Sequence, residues 1–299
     1  MKTLITLIVV ALIGLGAYVF FYTPDTEEYT PSVTEEQSTM EEDTDTMDRV
    51  VEVEKETETV IGTSVEGRDI TAYHYGEGNT ELLFVGGIHG GYSWNTSLVA
   101  YELMDYLEKE SEVIPETVRV TVIPTLNPDG LATLLGSADR FSANDVPEGN
   151  TTAARFNAND VDLNRNFDCD WQETGKWQNT DVSGGSAPFS EPEAEALRAY
   201  IGDDAPDAVV VWYSAGGGVF ASSCHNGVSE ETLALTELYA EASGYTAYES
   251  FDFYTITGDM VNWLAKEGIP AVSVLLTTHT DTEWSRNKRG IDALFATYK

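Results

Sequence analysis

Residues 84–97 read FVGGIHGGYSWNTS. An apolar run stops at Gly86 and Gly87, and His89 follows with two more glycines behind it. A strand that feeds a glycine-rich turn is a setting in which an imidazole can be offered to a metal, because glycine lets the backbone bend where a Cβ would not fit. A zinc that activates water needs three protein ligands and an open fourth position. This turn supplies one. Tyr92 and Ser93 stand where a second ligand would be in reach, and neither is a carboxylate. Elsewhere, Tyr213-Ser214-Ala215-Gly216 is a loose likeness of a nucleophile elbow, but Trp212 fills the first glycine position of G-x-S-x-G, and the serine is set aside. His225 and His279 show no ligand spacing and read as surface or loop histidines. Cys169 and Cys224, the two cysteines of the chain, can form one disulfide outside the membrane or remain two buried thiols.

The elements that must position these residues alternate. ITAYHYG and TELLFVGG read as strands, and a helix follows from about Asn95 to Glu110 with Leu98, Leu103 and Leu107 on one side. VRVTVIPTLN is a strand that ends at a Pro128-Asp129-Gly130 turn. Residues 131–187, rich in Asn, Asp and Gly, form a long irregular excursion. Ser190 and Glu193 make a capping box that opens a helix through Ile201. DAVVVWYS is a buried strand running into Gly216-Gly217-Gly218, and helices follow at 229–243 and 257–267, stopped by Gly244 and Gly268. AVSVLL is a further buried strand, and a last helix closes the chain. This alternation predicts helices on both faces of a sheet, with sites at the carboxyl ends of strands. His89, Asn127, Tyr213 and the end of AVSVLL all fall there.

Charge narrows the class. The 299 residues carry 51 acidic against 16 basic side chains, a net charge of −35. Such a surface repels phosphate and anionic lipid, so no nucleic-acid partner is expected. Residues 4–22 carry no charge and are long enough to span a bilayer as a helix. They predict a membrane anchor with Lys2 inside and the acidic side outside; a cleaved signal sequence that releases the protein is the alternative. Residues 23–58 hold 14 acidic residues against Arg49 and Lys55 and read as an extended, self-repelling tether. The remaining folded domain, 59–299, is itself acidic.

Six segments then occur in one order: GTSVEGRDI, GGIHG, PTLNPDGL, VDLNRNFD, SEPEAEAL and TGDMVNWLAKEGIPAVSV. In this order they resemble the zinc carboxypeptidases, the carboxypeptidase A-like metallopeptidases, over about residues 58–299. The resemblance implies a three-layer α/β/α sandwich with a mixed central sheet, preceded here by the N-terminal membrane helix. It also implies one zinc held by a His, a Glu of the same turn and a second His, a general-base Glu, an oxyanion Arg, and an Asn-Arg pair with a Tyr that clamps the substrate's terminal carboxylate.

The carry-over is uneven. His89 matches the first zinc histidine. The ligand Glu falls at Tyr92, or at Ser93 with one extra residue in the turn, which the flanking Trp94 favours. The second zinc histidine falls at Tyr213, and the general base at Leu275 or Leu276. Arg140 is the candidate oxyanion arginine and Arg155 its rival. Asn164, Arg165 and Tyr254 match the carboxylate clamp, although Arg165 could instead pair with Asp162 or Asp168. The expectation is a domain with its zinc and general-base machinery dismantled, zinc absent or weakly held. It would bind peptide C-termini or peptidoglycan stem peptides through Asn164, Arg165 and Tyr254. The competing expectation is an active metallocarboxypeptidase with an atypical metal site.

Overall fold

The computed structural model describes residues 57–203 and 205–299. The expected membrane segment at 4–22 and nearly all of the tether at 23–58 lie outside the described residues. Among the described residues no helix is long and apolar enough to cross a membrane.

The strands are β1 (Glu58–Thr63), β2 (Asp69–Tyr75), β3 (Thr80–Val85), β4 (Val118–Ile123), β5 (Thr174–Trp177), β6 (Thr180–Ser183), β7 (Ala208–Ser214), β8 (Gly218–Ala221), β9 (Ala247–Tyr248) and β10 (Ala271–Leu276). The α-helices are α1 (Trp94–Lys109), α2 (Pro128–Leu135), α3 (Pro192–Asp203), α4 (Glu230–Ser243), α5 (Met260–Lys266) and α6 (Trp284–Thr297). Eight strands form one mixed sheet in the order β1-β2-β4-β3-β7-β10-β8-β9, and β5 and β6 make a separate hairpin. β4, β3, β7 and β10 run parallel, with antiparallel pairs towards both edges.

Side-chain alternation sorts the sheet into two cores. On one face Val210 and Trp212 of β7 and Val272, Val274 and Leu276 of β10 pack with residues of α1, α4 and α6. On the other, Val209, Val211 and Tyr213 of β7 and Ala271 and Leu275 of β10 pack with α3 and α5. Each fully buried Val, Leu or Phe contributes about 1.5–3 kcal/mol, so the apolar runs of the central strands hold the layers together.

Three local expectations are corrected. Pro128-Asp129-Gly130 is not a terminal turn but the first turn of α2: Pro128 sets φ, and the Asn127 side chain caps the helix by accepting from Gly130 N at 2.8 Å. The stretch 131–187 is less irregular than its composition suggests, since the later part of α2 and the β5–β6 hairpin lie within it. The capping box at Ser190 and Glu193 does not form. Ser190 Oγ bonds Asn166 and Glu191, while Glu193 accepts from Val65 N and Asn157 Nδ2. Tertiary partners outcompete the local cap there.

Candidate functional site

The chain leaves β3 at Val85 and reaches a single 3-10 turn, Gly90–Ser93, that runs straight into α1. Gly90 has φ 44°, and a Cβ there would lie 2.7 Å from the Gly130 backbone, so only glycine fits. The turn seats His89 at 5% exposure with neither ring nitrogen hydrogen-bonded. Nε2 lies 3.4 Å from Asp162 Oδ1, near enough to feel its charge but outside good hydrogen-bond geometry. Burial first, and then the Arg155 charge, push the imidazole down to about 4, so it is neutral at pH 7.

Around His89 the other metal positions can be inspected one by one. Ser93 sits one turn on, its N bonded to His89 O, with a buried and unpartnered Oγ. Tyr92 instead sends its ring between Trp177 and His279, at 5.0 and 4.6 Å. Tyr213 reaches within 5.7 Å of the His89 ring, and its hydroxyl donates to Asn164 Oδ1 at 3.2 Å. Burial, with Asp259 adding to it, raises the Tyr213 phenol well above its ordinary value, so it is a protonated donor and not a phenolate ligand. Leu275 pairs in register with Tyr213 and faces the same cavity, whereas Leu276 packs into the opposite core. One imidazole, one serine hydroxyl and a donor phenol do not make the ligand set of a catalytic zinc. Among the described residues, Cys169, Cys224 and His225 also cluster within 4.8 Å. However, the two sulfurs form a disulfide and His225 pairs with Asp170 at 2.7 Å.

The charges beside His89 form a compact set. Asp162 is fully buried, and its Oδ2 accepts from Arg155 Nε at 2.9 Å and Nη2 at 2.8 Å. Its Oδ1 accepts from Asn164 N at 3.1 Å. Burial alone would raise this carboxyl, but Arg155, His89 and Arg165 outweigh it and hold it well below the usual carboxylate range. Arg155 is stacked 4.5 Å from the Trp177 ring and lines the cavity. Arg140 is corrected as the oxyanion candidate: it pairs with Asp105 and lies over Tyr101, away from this cavity. Arg165 is placed differently from the expectation as well. It is 1% exposed and donates through Nε and Nη2 to Lys176 O and through Nη1 to Asn164 O, pinning the β5–β6 hairpin. It pairs with neither Asp162 nor Asp168; Asp168 takes Lys266. Asn164 and Tyr254 do line the cavity, which has a volume of about 800 Å³.

Two residues at this site had no role in the expectations. His279, expected to be a surface or loop histidine, does lie in the loop after β10, but it is half-buried, lines the cavity and bonds Ser214 Oγ through Nδ1 at 3.1 Å. It follows the carboxyl end of β10 as His89 follows that of β3, and that position was the available signal. Asp259 caps α5, its carboxylate accepting from Asn262 Nδ2 at 2.7 Å. Burial pushes this carboxyl up from 3.8 to about 6 against the pull of Arg165. The folded chain therefore holds a proton between those values that the unfolded chain releases. The stability Asp259 contributes is intact below pH 3.8 and is lost as pH rises through 6. Asp259→Asn keeps the cap and removes the buried charge. It is expected to raise the unfolding free energy by about 1–3 kcal/mol at pH 8 and hardly at all at pH 4. Urea midpoints at both pH values check this; equal shifts at both would contradict it.

Comparison with known proteins agrees with this fold. Among solved structures, the murein-tripeptide amidase MpaA from Escherichia coli O157 superposes with TM-score 0.56 at 21% identity, over 81% of this chain and 92% of that one. Bovine thrombin-activatable fibrinolysis inhibitor, solved with tick carboxypeptidase inhibitor, gives TM-score 0.63 at 17% identity, over 81% and 87%. At these identities the likeness is one of fold. Carboxypeptidase B of Astacus astacus is 30% identical over 148 residues, 47% of this chain and 48% of that protein. The gamma-D-glutamyl-L-diamino acid endopeptidase 1 of Lysinibacillus sphaericus is 26% identical over 219 residues, 66% of this chain and 54% of that protein. The matches thus span about half the length of these two relatives. The Peptidase M14 zinc carboxypeptidase model matches residues 44–282, most of the chain and every strand of the central sheet. By fold and by sequence, this chain belongs to the zinc carboxypeptidase family.

Proposed function

We propose that this domain no longer hydrolyses peptides and instead binds peptide C-termini, either of free peptides or of peptidoglycan stems, in the cavity over His89. The observation that carries the reading is the combination at one site. Ser93, Tyr213 and Leu275 stand where a metal carboxylate, a metal histidine and a general base would stand. Yet a cavity of about 800 Å³ remains open beside them, with Arg155, Asn164 and Tyr254 on its wall. Loss of a general base costs about 10²–10⁴-fold in rate, and without the metal the water to be activated is lost as well. Arg155 supplies the cation for a carboxylate, because its Nε and Nη2 are held by Asp162 while its Nη1 has no hydrogen-bond partner among the described residues. Arg165 shapes the pocket by fixing the hairpin below it. The names of the murein-tripeptide amidase and of the gamma-D-glutamyl-L-diamino acid endopeptidase support a cell-wall peptide as ligand. The domain then sits outside the cytoplasm, tethered to the membrane through residues 4–22 by the acidic segment 23–58.

The test joins metal analysis to binding. Purified full-length protein is expected to carry well under one zinc per chain and to leave acetyl-alanyl-alanine uncleaved. Its affinity for that dipeptide should exceed its affinity for the C-terminal amide by about tenfold or more, the scale of one charge-assisted hydrogen bond. Stoichiometric zinc together with turnover that a chelator abolishes would establish an active metallocarboxypeptidase instead. Equal and negligible affinity for acid and amide would leave a purely structural domain.

A further inference from the structure

Asn95, the second residue of α1, is fully buried, and its carboxamide orientation is set by chemistry. Its Nδ2 lies 2.9 Å from Thr278 O and 2.9 Å from Asp281 O. Carbonyl oxygens only accept, so the NH₂ must face them and Oδ1 must face the other way. There Oδ1 meets Ser214 Oγ at 3.0 Å. An amide oxygen cannot donate, so Ser214 gives its single proton to Asn95. Ser214 Oγ also lies 3.1 Å from His279 Nδ1. With the serine proton committed, only the imidazole can supply the hydrogen of that contact. His279 is thereby held as the Nδ1–H tautomer. Its Nε2 carries a lone pair and has no partner among the described residues, while the ring lines the cavity edge-on to Tyr92 at 4.6 Å. The same relay turns the Ser214 proton away from the imidazole, so the pair is not a nucleophile and its base.

We propose that His279 Nε2 is a hydrogen-bond-accepting subsite of this cavity, preset by Asn95 and Ser214 to receive an N–H of a bound peptide. The proposal rests on the peptide-binding reading above. A peptide end presents a carboxylate and amide N–H groups; Arg155 answers the first and His279 the second. Asn95 and Ser214 are positioning residues in this scheme, acting on the ligand only through the tautomer they impose.

The chain holds four histidines, which makes imidazole ¹⁵N spectra of the labelled full-length protein tractable. His279→Phe identifies the His279 resonances. In the free wild type, His279 is expected as Nδ1–H with an unprotonated Nε2. In Ser214→Ala that preference should be lost and the Nε2–H form appear, a change that a merely structural serine would not cause. On saturation with acetyl-alanyl-alanine, the wild-type Nε2 resonance should move towards the protonated range, and His279→Phe should bind about fivefold more weakly. A free wild type in the Nε2–H form overturns the proposal, and so does an unmoved Nε2 while other resonances report binding. If the wild type binds no peptide, the cavity reading falls and takes the subsite with it. The two failures are thus distinguishable. The decisive spectra come from the wild type, so a misfolded variant does not blunt the test.

Discussion

Ser93→Glu, Tyr213→His and Leu275→Glu, introduced together, are expected to give a chain that binds a single zinc per molecule. Part of the support for this is present in a carboxylate beside His89. Asp162 stands 3.4 Å behind His89 Nε2 and leaves Nδ1 unpartnered, the arrangement that orients a ligating imidazole. Ser93 is one helical turn from His89, and Tyr213 reaches within 5.7 Å of its ring, so a carboxylate and an imidazole introduced there approach the same point. Leu275 is Tyr213's register partner on the neighbouring strand and suits a general base beside the metal. The triple variant should be less stable than the wild type in chelator. Two carboxylates then occupy positions only 1% and 8% exposed, without compensating charge. Zinc at a hundredfold excess over its Kd should return about 2.7 kcal/mol. Metal analysis and melting with and without zinc read both effects. A variant that folds but takes up no zinc would refute the alignment of Ser93 and Tyr213 with the family's metal-ligand positions.

The second large effect is expected at Asp162. Asp162→Ala leaves the Arg155 guanidinium, 2% exposed, without its carboxylate, and removes the acceptor for Asn164 N. Breaking a buried ion pair from one side costs about 3–5 kcal/mol. Arg155→Met, which strands the carboxylate instead, should cost a similar amount. The double variant Asp162→Leu with Arg155→Met should lose much less than the sum, because no buried charge remains. Urea unfolding of the three proteins at pH 7 measures the coupling. Additive losses, or a loss below about 1 kcal/mol for Asp162→Ala, would show that solvent reaches the pair and that its burial is not energetically felt.

Much of this was legible from the chain. The apolar runs TELLFV, AVVVWYS and AVSVLL could only be central strands, and the glycines after His89 could only be a tight turn. The short strands β8 and β9 were not foreseen. Gly218–Ala221 and Ala247–Tyr248 are too brief to show periodicity, and only pairing against β10 makes the first of them a strand. The charged residues were harder still. Arg140, Arg155 and Arg165 are equivalent as letters, yet one pairs with Asp105 outside the cavity, one lines it, and one is fastened to two backbone carbonyls.

By itself the sequence determined the family, the layered architecture and the residue types at Ser93, Tyr213 and Leu275, because these depend on residue identity and period. Only the tertiary structure decided between Leu275 and Leu276, since strand alternation sends adjacent side chains to opposite cores. It also decided that Arg155 lines the cavity and that His279 stands at its wall with Nδ1 turned to Ser214. Those outcomes depend on hydrogen bonds between residues far apart in the chain: Asn95 meets Thr278 and Asp281 across more than 180 positions. No local pattern encodes which donor such a contact will leave free.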